Sequence, residues 1–157
     1  MSVRAAELRD APAIERIARA SFDGVYAFFA VHGTRHAWPL LVAEVDGSVT
    51  GFLEGKVFEG QPPIGYIYFV AVDPARRRHG AARELVTESL AAFARRGGTR
   101  VFAAVPRDNE ASMALFTAFG FRDAPRRVLR QWYGWRGLKV QVQMLIAPHE
   151  VLLVREA

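Results

Sequence analysis

The 157-residue sequence predicts one α/β domain built on a mixed, mostly antiparallel central sheet flanked by about four helices. Three observations predict it. An apolar, aromatic and β-branched run from Ile64 to Val72 stops at Asp73 and Pro74, and is too short and too β-branched to favour a helix. Ala82, Leu85, Val86, Leu90 and Phe93 follow at helical spacing, and "RVFAAV" (100–105) gives a second strand. Strand, helix and strand in that order imply a right-handed parallel crossover. Earlier in the chain, the dipeptide Asp46-Gly47 suits a two-residue hairpin turn between β-branched runs, so the strands around it are antiparallel.

The elements follow in order. After a short strand near Val3, Asp10 is placed to cap a helix with Pro12 in its first turn, and Ile14, Ile17, Ala18 and Phe22 recur along one face. Residues 24–36 read as a short or irregular helix bracketed by Gly24 and Gly33, with Val25, Phe28 and Phe29 turned to a core. Residues 39–60 form the hairpin and 64–72 a buried central strand. The helix over residues 80–96 ends with Arg95 and Arg96 in its last turn and Gly97 beyond. After the strand at 100–105, Asp108 or Asn109 caps a helix that runs to Phe119 and closes at Gly120. "RRVLRQWYGW" and "LKVQVQMLI" read as two more strands, the second alternating Val140, Val142 and Met144 against Lys139, Gln141 and Gln143, with Gly134 and Gly137 in the turn between. No linker or repeat divides the chain, so residues 1–157 are one domain, with 147–157 an extra strand or a tail.

Composition narrows the function. A formal net charge of +5 favours acidic ligands, either nucleic acid or a phosphorylated cofactor. The absence of cysteine excludes disulfides, thiolate zinc sites and cysteine nucleophiles. His32 and His36 stand four apart, but Gly33 lies between them and no third ligand accompanies them, so no metal is expected. No stretch approaches the roughly 20 apolar residues of a membrane span, and the N-terminus lacks the pattern of a secretion signal. A soluble, cytoplasmic protein without a membrane partner is expected.

The chemistry concentrates in "RRRHGAAREL" (76–85), where a strand exit and a basic loop lead into small residues that open a helix. The first turn of a helix carries backbone N-H groups without intrahelical acceptors, and its partial positive charge favours an anion. Gly80, Ala81 and Ala82 let a phosphate approach those amides, and Arg77 and Arg78 add charge-assisted hydrogen bonds. The patterns G-x-x-x-x-G-K-S/T and G-x-G-x-x-G are both absent, which removes the common nucleotide-binding readings.

The stretch resembles the acyl-CoA loop of the GNAT superfamily of N-acetyltransferases, Q/R-x-x-G-x-G/A, through Arg77, Gly80 and Ala82. A second family pattern, N-x-x-A-x-x-L-Y-x-x-x-G-F, is matched in register by Asn109, Leu115, Gly120 and Phe121, with Ser112 for the alanine and Phe116 for the tyrosine. The resemblance spans roughly residues 3–146 and is most specific between 64 and 121. It implies a GNAT-like fold with a splayed central parallel strand pair. The backbone of Val70, Ala71 and Val72 would pair with the pantetheine arm of acetyl-CoA, with a backbone N-H near Ala71 or Val72 polarising the thioester. Arg77, Arg78, His79, Gly80, Ala81, Ala82 and Arg83 would cradle the pyrophosphate, and Asn109 and Phe116 would line the far side of the cofactor.

The implied activity is direct transfer of acetyl from acetyl-CoA to a primary amine, on a protein N terminus or a small molecule. No covalent enzyme intermediate is expected, because neither cysteine nor G-x-S-x-G is present. The usual acid and base are missing: Phe116 has no hydroxyl, and the strand from Ile64 to Val72 has no carboxylate. Glu54, on the same strand face as Phe52 and Lys56, is the candidate base, and Tyr68 or Tyr133 the candidate proton donor. Deprotonating a lysine amine of pKa about 10.4 at pH 7 costs ~4.6 kcal/mol, against ~1.1 for an α-amine near 7.8, so a weakly basic amine is the easier acceptor. Trp132, Tyr133 and Trp135 are expected to wall the acceptor site rather than stack on nucleic acid, which the cofactor motifs do not require. The alternative is a non-catalytic acyl-CoA-binding regulatory module. The resemblance also implies a homodimer through the last strands.

Overall fold

Residues 1–156 are described by the structure, a computed structural model. Seven strands form one sheet: β1 (Ser2–Ala5), β2 (Leu40–Val45), β3 (Ser48–Phe58), β4 (Ile64–Val72), β5 (Arg100–Pro106), β6 (Arg122–Asp123) and β7 (Glu150–Glu156). Their spatial order is β1-β2-β3-β4-β5-β7-β6. Only β4 and β5 are parallel, joined by the expected crossover through helix α3 (Ala81–Arg95). Asp46 and Gly47 both take positive φ at the β2–β3 turn, as a tight hairpin demands.

Both sheet faces are covered. On one, α3 and α4 (Glu110–Ala118) bury Leu85, Val86, Phe93 and Phe116 against Leu41, Leu53, Ile67 and Leu153. On the other, the cover is split into two blocks. Helices α1 (Ala11–Ser21) and α2 (Gly24–Gly33) pack on Val42, Phe52 and Ala71, while α5 (Val128–Tyr133) and α6 (Trp135–Met144) pack on Phe58, Tyr66, Phe102 and Leu152. The space between the blocks is where a ligand can reach the sheet.

Three expectations are corrected. Asp10 does not cap α1 with its side chain. Its carboxylate is buried, accepts from both terminal nitrogens of Arg4 at 2.8 and 3.0 Å and from the backbone N-H of Glu7 at 2.7 Å, and the guanidinium holds its pKa below the ordinary carboxylate value. In α2, Ala27 and Ala30 face the core, whereas Val25, Phe28 and Phe29 are exposed. The two strands expected after Phe121 are the helices α5 and α6. Val140 and Met144 are buried four residues apart while Val142 is exposed, the signature of a helical stripe rather than alternation. Gly137 lies inside α6 and not in a turn, because the helices approach so closely there that a Cβ would overlap the carbonyl group of Leu129. The described residues therefore hold six α-helices rather than about four. Of the segment expected as an extra strand or a tail, Glu150–Glu156 form β7, which pairs with β5 along its length and with β6 at Leu153 and Val154, while Ala157 lies outside the described residues.

Candidate active site

The parallel pair opens as it runs. Pairing between β4 and β5 covers only Ile64–Ile67 against Arg100–Ala103, and no pairing continues beyond Ile67. At the same point β4 carries a bulge: Glu54 pairs with Phe69 and Gly55 with Ile67, leaving Tyr68 as the extra residue. Tyr68 and Phe69 consequently point to the same face of the sheet, where they pack against its two different helical blocks. Asp73 N-H donates to the carbonyl of Thr50 at 2.7 Å, so antiparallel alternation turns the backbone of Phe69 and Ala71 to β3 and that of Val70 and Val72 toward the gap. Of the two residues named above as sources of a polarising amide, Ala71 is thus committed to the sheet. Val72 N-H, and Val70 N-H beside it, face the opening.

Three hollows run end to end along this opening. The first, of about 810 Å³, holds Val70, Ala71, Val72, Arg77, Arg78, Gly80, Ala81, Ala82, Arg83 and Asn109 in its walls. Gly80 is the N-cap of α3 with φ 84°, a left-handed conformation that favours glycine, and no side chain caps the helix. The N-H groups of Ala81, Ala82 and Arg83 are therefore left without intrahelical or capping acceptors, at the start of a 15-residue helix. Arg77 Nε donates to the carbonyl of Val72 at 3.3 Å, which fixes the basic loop against the open edge of β4. His79 lines none of these hollows. Asn109 caps α4 by accepting from Ser112 N-H at 3.1 Å, so it shapes the wall as well as facing it.

The second hollow, of about 100 Å³, is the gap itself, bounded by Tyr26, Tyr68, Val70, Ala104, Asn109 and Phe116. Phe116 is buried, edge-on to Phe121 at 5.0 Å. The third, of about 510 Å³, lies between the two helical blocks over β3 and β4. On its floor Glu54 is 2% exposed, and one carboxyl oxygen has no hydrogen-bond partner. Burial pushes its pKa up to about 9. Tyr68 is pushed up to about 12 by burial, and its hydroxyl donates to the carbonyl of Gln143 at 2.5 Å.

The Acetyltransferase (GNAT) family pattern matches residues 6–121. The chain belongs to the GNAT family of acetyltransferases. It is 34% identical over 128 residues to the L-2,4-diaminobutyric acid acetyltransferase of Nocardia farcinica, covering 76% of this chain and 64% of that one. It is 36% identical over 97 residues to the mycothiol acetyltransferase of Amycolatopsis mediterranei, covering 55% of this chain and 32% of that one. The chain thus spans less than two thirds of the length of either relative. Its fold is also that of the PaiA N-acetyltransferase of Thermoplasma acidophilum, solved with coenzyme A, at a TM-score of 0.74 and 12% identity over 99% of this chain and 98% of the other.

Within this GNAT domain the structure brings Glu54 and Tyr68 together in the third hollow and leaves Tyr133 out. Tyr133 sits at the far end of β5, where its hydroxyl accepts from Arg100 at 3.4 Å. Trp132 lies over the same guanidinium at 4.0 Å and Trp135 is exposed, so neither walls the third hollow. The aromatic walls come instead from Tyr26, Phe29, Tyr66, Tyr68 and Phe69. Sequence reasoning missed the pair Tyr26 and His149, whose hydroxyl oxygen and Nε2 are 2.7 Å apart. Tyr26 borders both the gap and the third hollow, and burial raises its pKa, with the carboxylates of Glu150 and Asp23 adding to the effect. A pair 123 residues apart in sequence leaves no spacing signal.

Proposed function

We propose that the chain is an acetyl-CoA-dependent N-acetyltransferase acting on a primary amine, with the first hollow for the pyrophosphate, the gap for the thioester and the third hollow for the acceptor. The observation that carries this is continuity. The capless start of α3, the unpaired edge of β4 and the orphaned carboxyl of Glu54 lie along one cleft. The cradle fits a pyrophosphate because three free N-H groups and the side chains of Arg77 and Arg78 meet at a glycine-opened helix start.

Acetyl-CoA supplies the acyl thioester: the amine nitrogen bonds to its carbonyl carbon, the carbon–sulfur bond breaks, and coenzyme A leaves as a thiolate that takes up a proton. The chain's residues arrange that exchange. Val70 N-H, on the open edge beside the bulge, donates to the oxygen that gains charge as the amine adds. Glu54, in the ionised form that becomes populated as pH rises toward 9, receives the proton lost by the attacking nitrogen. Tyr26, kept protonated by burial, gives a proton to the departing sulfur in place of the hydroxyl that Phe116 lacks, and His149 replaces it from solvent. Tyr68 holds the α6 terminus through Gln143 rather than donating.

Free thiol release from acetyl-CoA, followed with and without a panel of primary amines, tests the reading. Amine-stimulated release is expected. Coenzyme A binding without stimulation by any amine would replace it with a non-catalytic acyl-CoA-binding module.

A further inference from the structure

The third hollow is largely apolar, with a carboxyl-rich polar lining, within a protein of net charge +5. Three carboxyl side chains, Asp23, Glu54 and Glu150, line it, with Lys56 as the only lysine, the imidazoles of His36 and His149, and no arginine. Glu150 is buried and its carboxylate accepts from the backbone N-H of Ala147 at 2.6 Å, while Asp23 accepts from Val25 and Tyr26 N-H at 3.1 and 3.0 Å. Both are therefore fixed as acceptors at the wall. Around the mouth Val25, Phe29 and Leu145 are 67%, 48% and 65% exposed, forming an apolar rim open to water.

Resting on the acetyl-transfer reading above, we propose that the acceptor is a primary amine on an apolar, preferably aromatic, body with no carboxylate beside the amine. The unpartnered oxygen of Glu54 takes the nitrogen, whose hydrogens it can accept. The aromatic walls and the exposed rim cover the body, removing apolar surface on both sides from water. A carboxylate beside the amine would be desolvated among three carboxyls, with Lys56 and His36 as single-point partners, His149 engaged by Tyr26, and no guanidinium to receive it in a bidentate pair. A small diamino acid such as 2,4-diaminobutyric acid brings a carboxylate on the same short chain and no apolar body for the walls to cover, so it fits this hollow less well than an arylalkylamine.

Two probes that differ chiefly in the carboxylate decide it: 2-phenylethylamine and phenylalanine, with 2,4-diaminobutyric acid and a peptide beginning with phenylalanine alongside. The expected kcat/KM for 2-phenylethylamine exceeds that for phenylalanine and for diaminobutyric acid at least tenfold. An α-amine is the less basic of the two types, so easier deprotonation would favour phenylalanine and cannot produce this order. A peptide used better than 2-phenylethylamine supports the same chemistry and places its source on a polypeptide N terminus. Val25→Arg, on the exposed rim, is expected to shift the phenylalanine to phenylethylamine ratio at least tenfold toward phenylalanine. Phenylalanine or diaminobutyric acid used as well as phenylethylamine would overturn the inference while leaving acetyl transfer standing. Thiol release that no amine accelerates would remove acetyl transfer itself.

Discussion

Glu54 is neutral at neutral pH, because burial raises its pKa from 4.5 to about 9. In the unfolded chain it ionises near 4.5, so between that pH and about 9 the folded state binds the extra proton and stability falls as pH rises. Glu54→Gln removes this penalty: the variant is expected to melt at a higher temperature than the parent at pH 8.5 and at a similar one at pH 4. Activity moves the other way. Transfer needs one proton removed from the Glu54 and ammonium pair, so kcat/KM for an alkylamine is expected to climb with pH and level near 9. The variant is expected to lose about 10²-fold in rate and to level only at the amine's own pKa. Tyr26→Phe is expected to lower kcat about tenfold or more while leaving coenzyme A affinity unchanged in a binding titration; an unchanged kcat would remove Tyr26 as donor. Glu54 was legible from strand alternation alone, since Phe52, Glu54 and Lys56 share a face. Tyr26 and His149 were not, because only the fold brings α2 to the segment before β7.

At the scale of elements, sequence patterning worked where the period was long and failed where it was short. The stripe of α3 extends over four turns and fixes both its helix and its buried face. In α6 the run Val140, Val142 and Met144 fits a strand as well as it fits two turns of helix, and nothing local decides between them. Gly137 decides it in three dimensions by letting α6 seat on the Leu129 carbonyl. Gly137→Ala must push the helices apart, and a loss of about 1 to 3 kcal/mol is expected in denaturant unfolding. The same substitution at Gly24, with no atom within 4 Å of its added Cβ, is expected to change stability little or raise it. For α2 the difficulty was different: Val25 and Phe29 carry the hydrophobicity of a core face but rim an open cleft, and Phe28 is exposed against His32.

Across the whole molecule, the cleft is a consequence of topology. A parallel pair held together only to Ile67, a bulge at Tyr68 and two separate helical blocks on one face leave a channel from the start of α3 to Glu54. Among the described residues no helix is long and apolar enough to cross a membrane, and no group of three or more His, Cys, Asp or Glu side chains is placed to hold a metal ion. The crossover and the loop that opens α3 were legible because each depends on contiguous sequence. The walls of the third hollow, gathered from α2, β3, β4 and the segment between α6 and β7, were not legible as one site, because no contiguous stretch of sequence carries them. A crystal structure with bound coenzyme A tests the account most directly. The pyrophosphate is expected on the N-H groups of Ala81, Ala82 and Arg83, with the thiol in the gap between Val70 and Tyr26, facing Glu54. Pyrophosphate density away from the start of α3, or a thiol outside the gap, would contradict it.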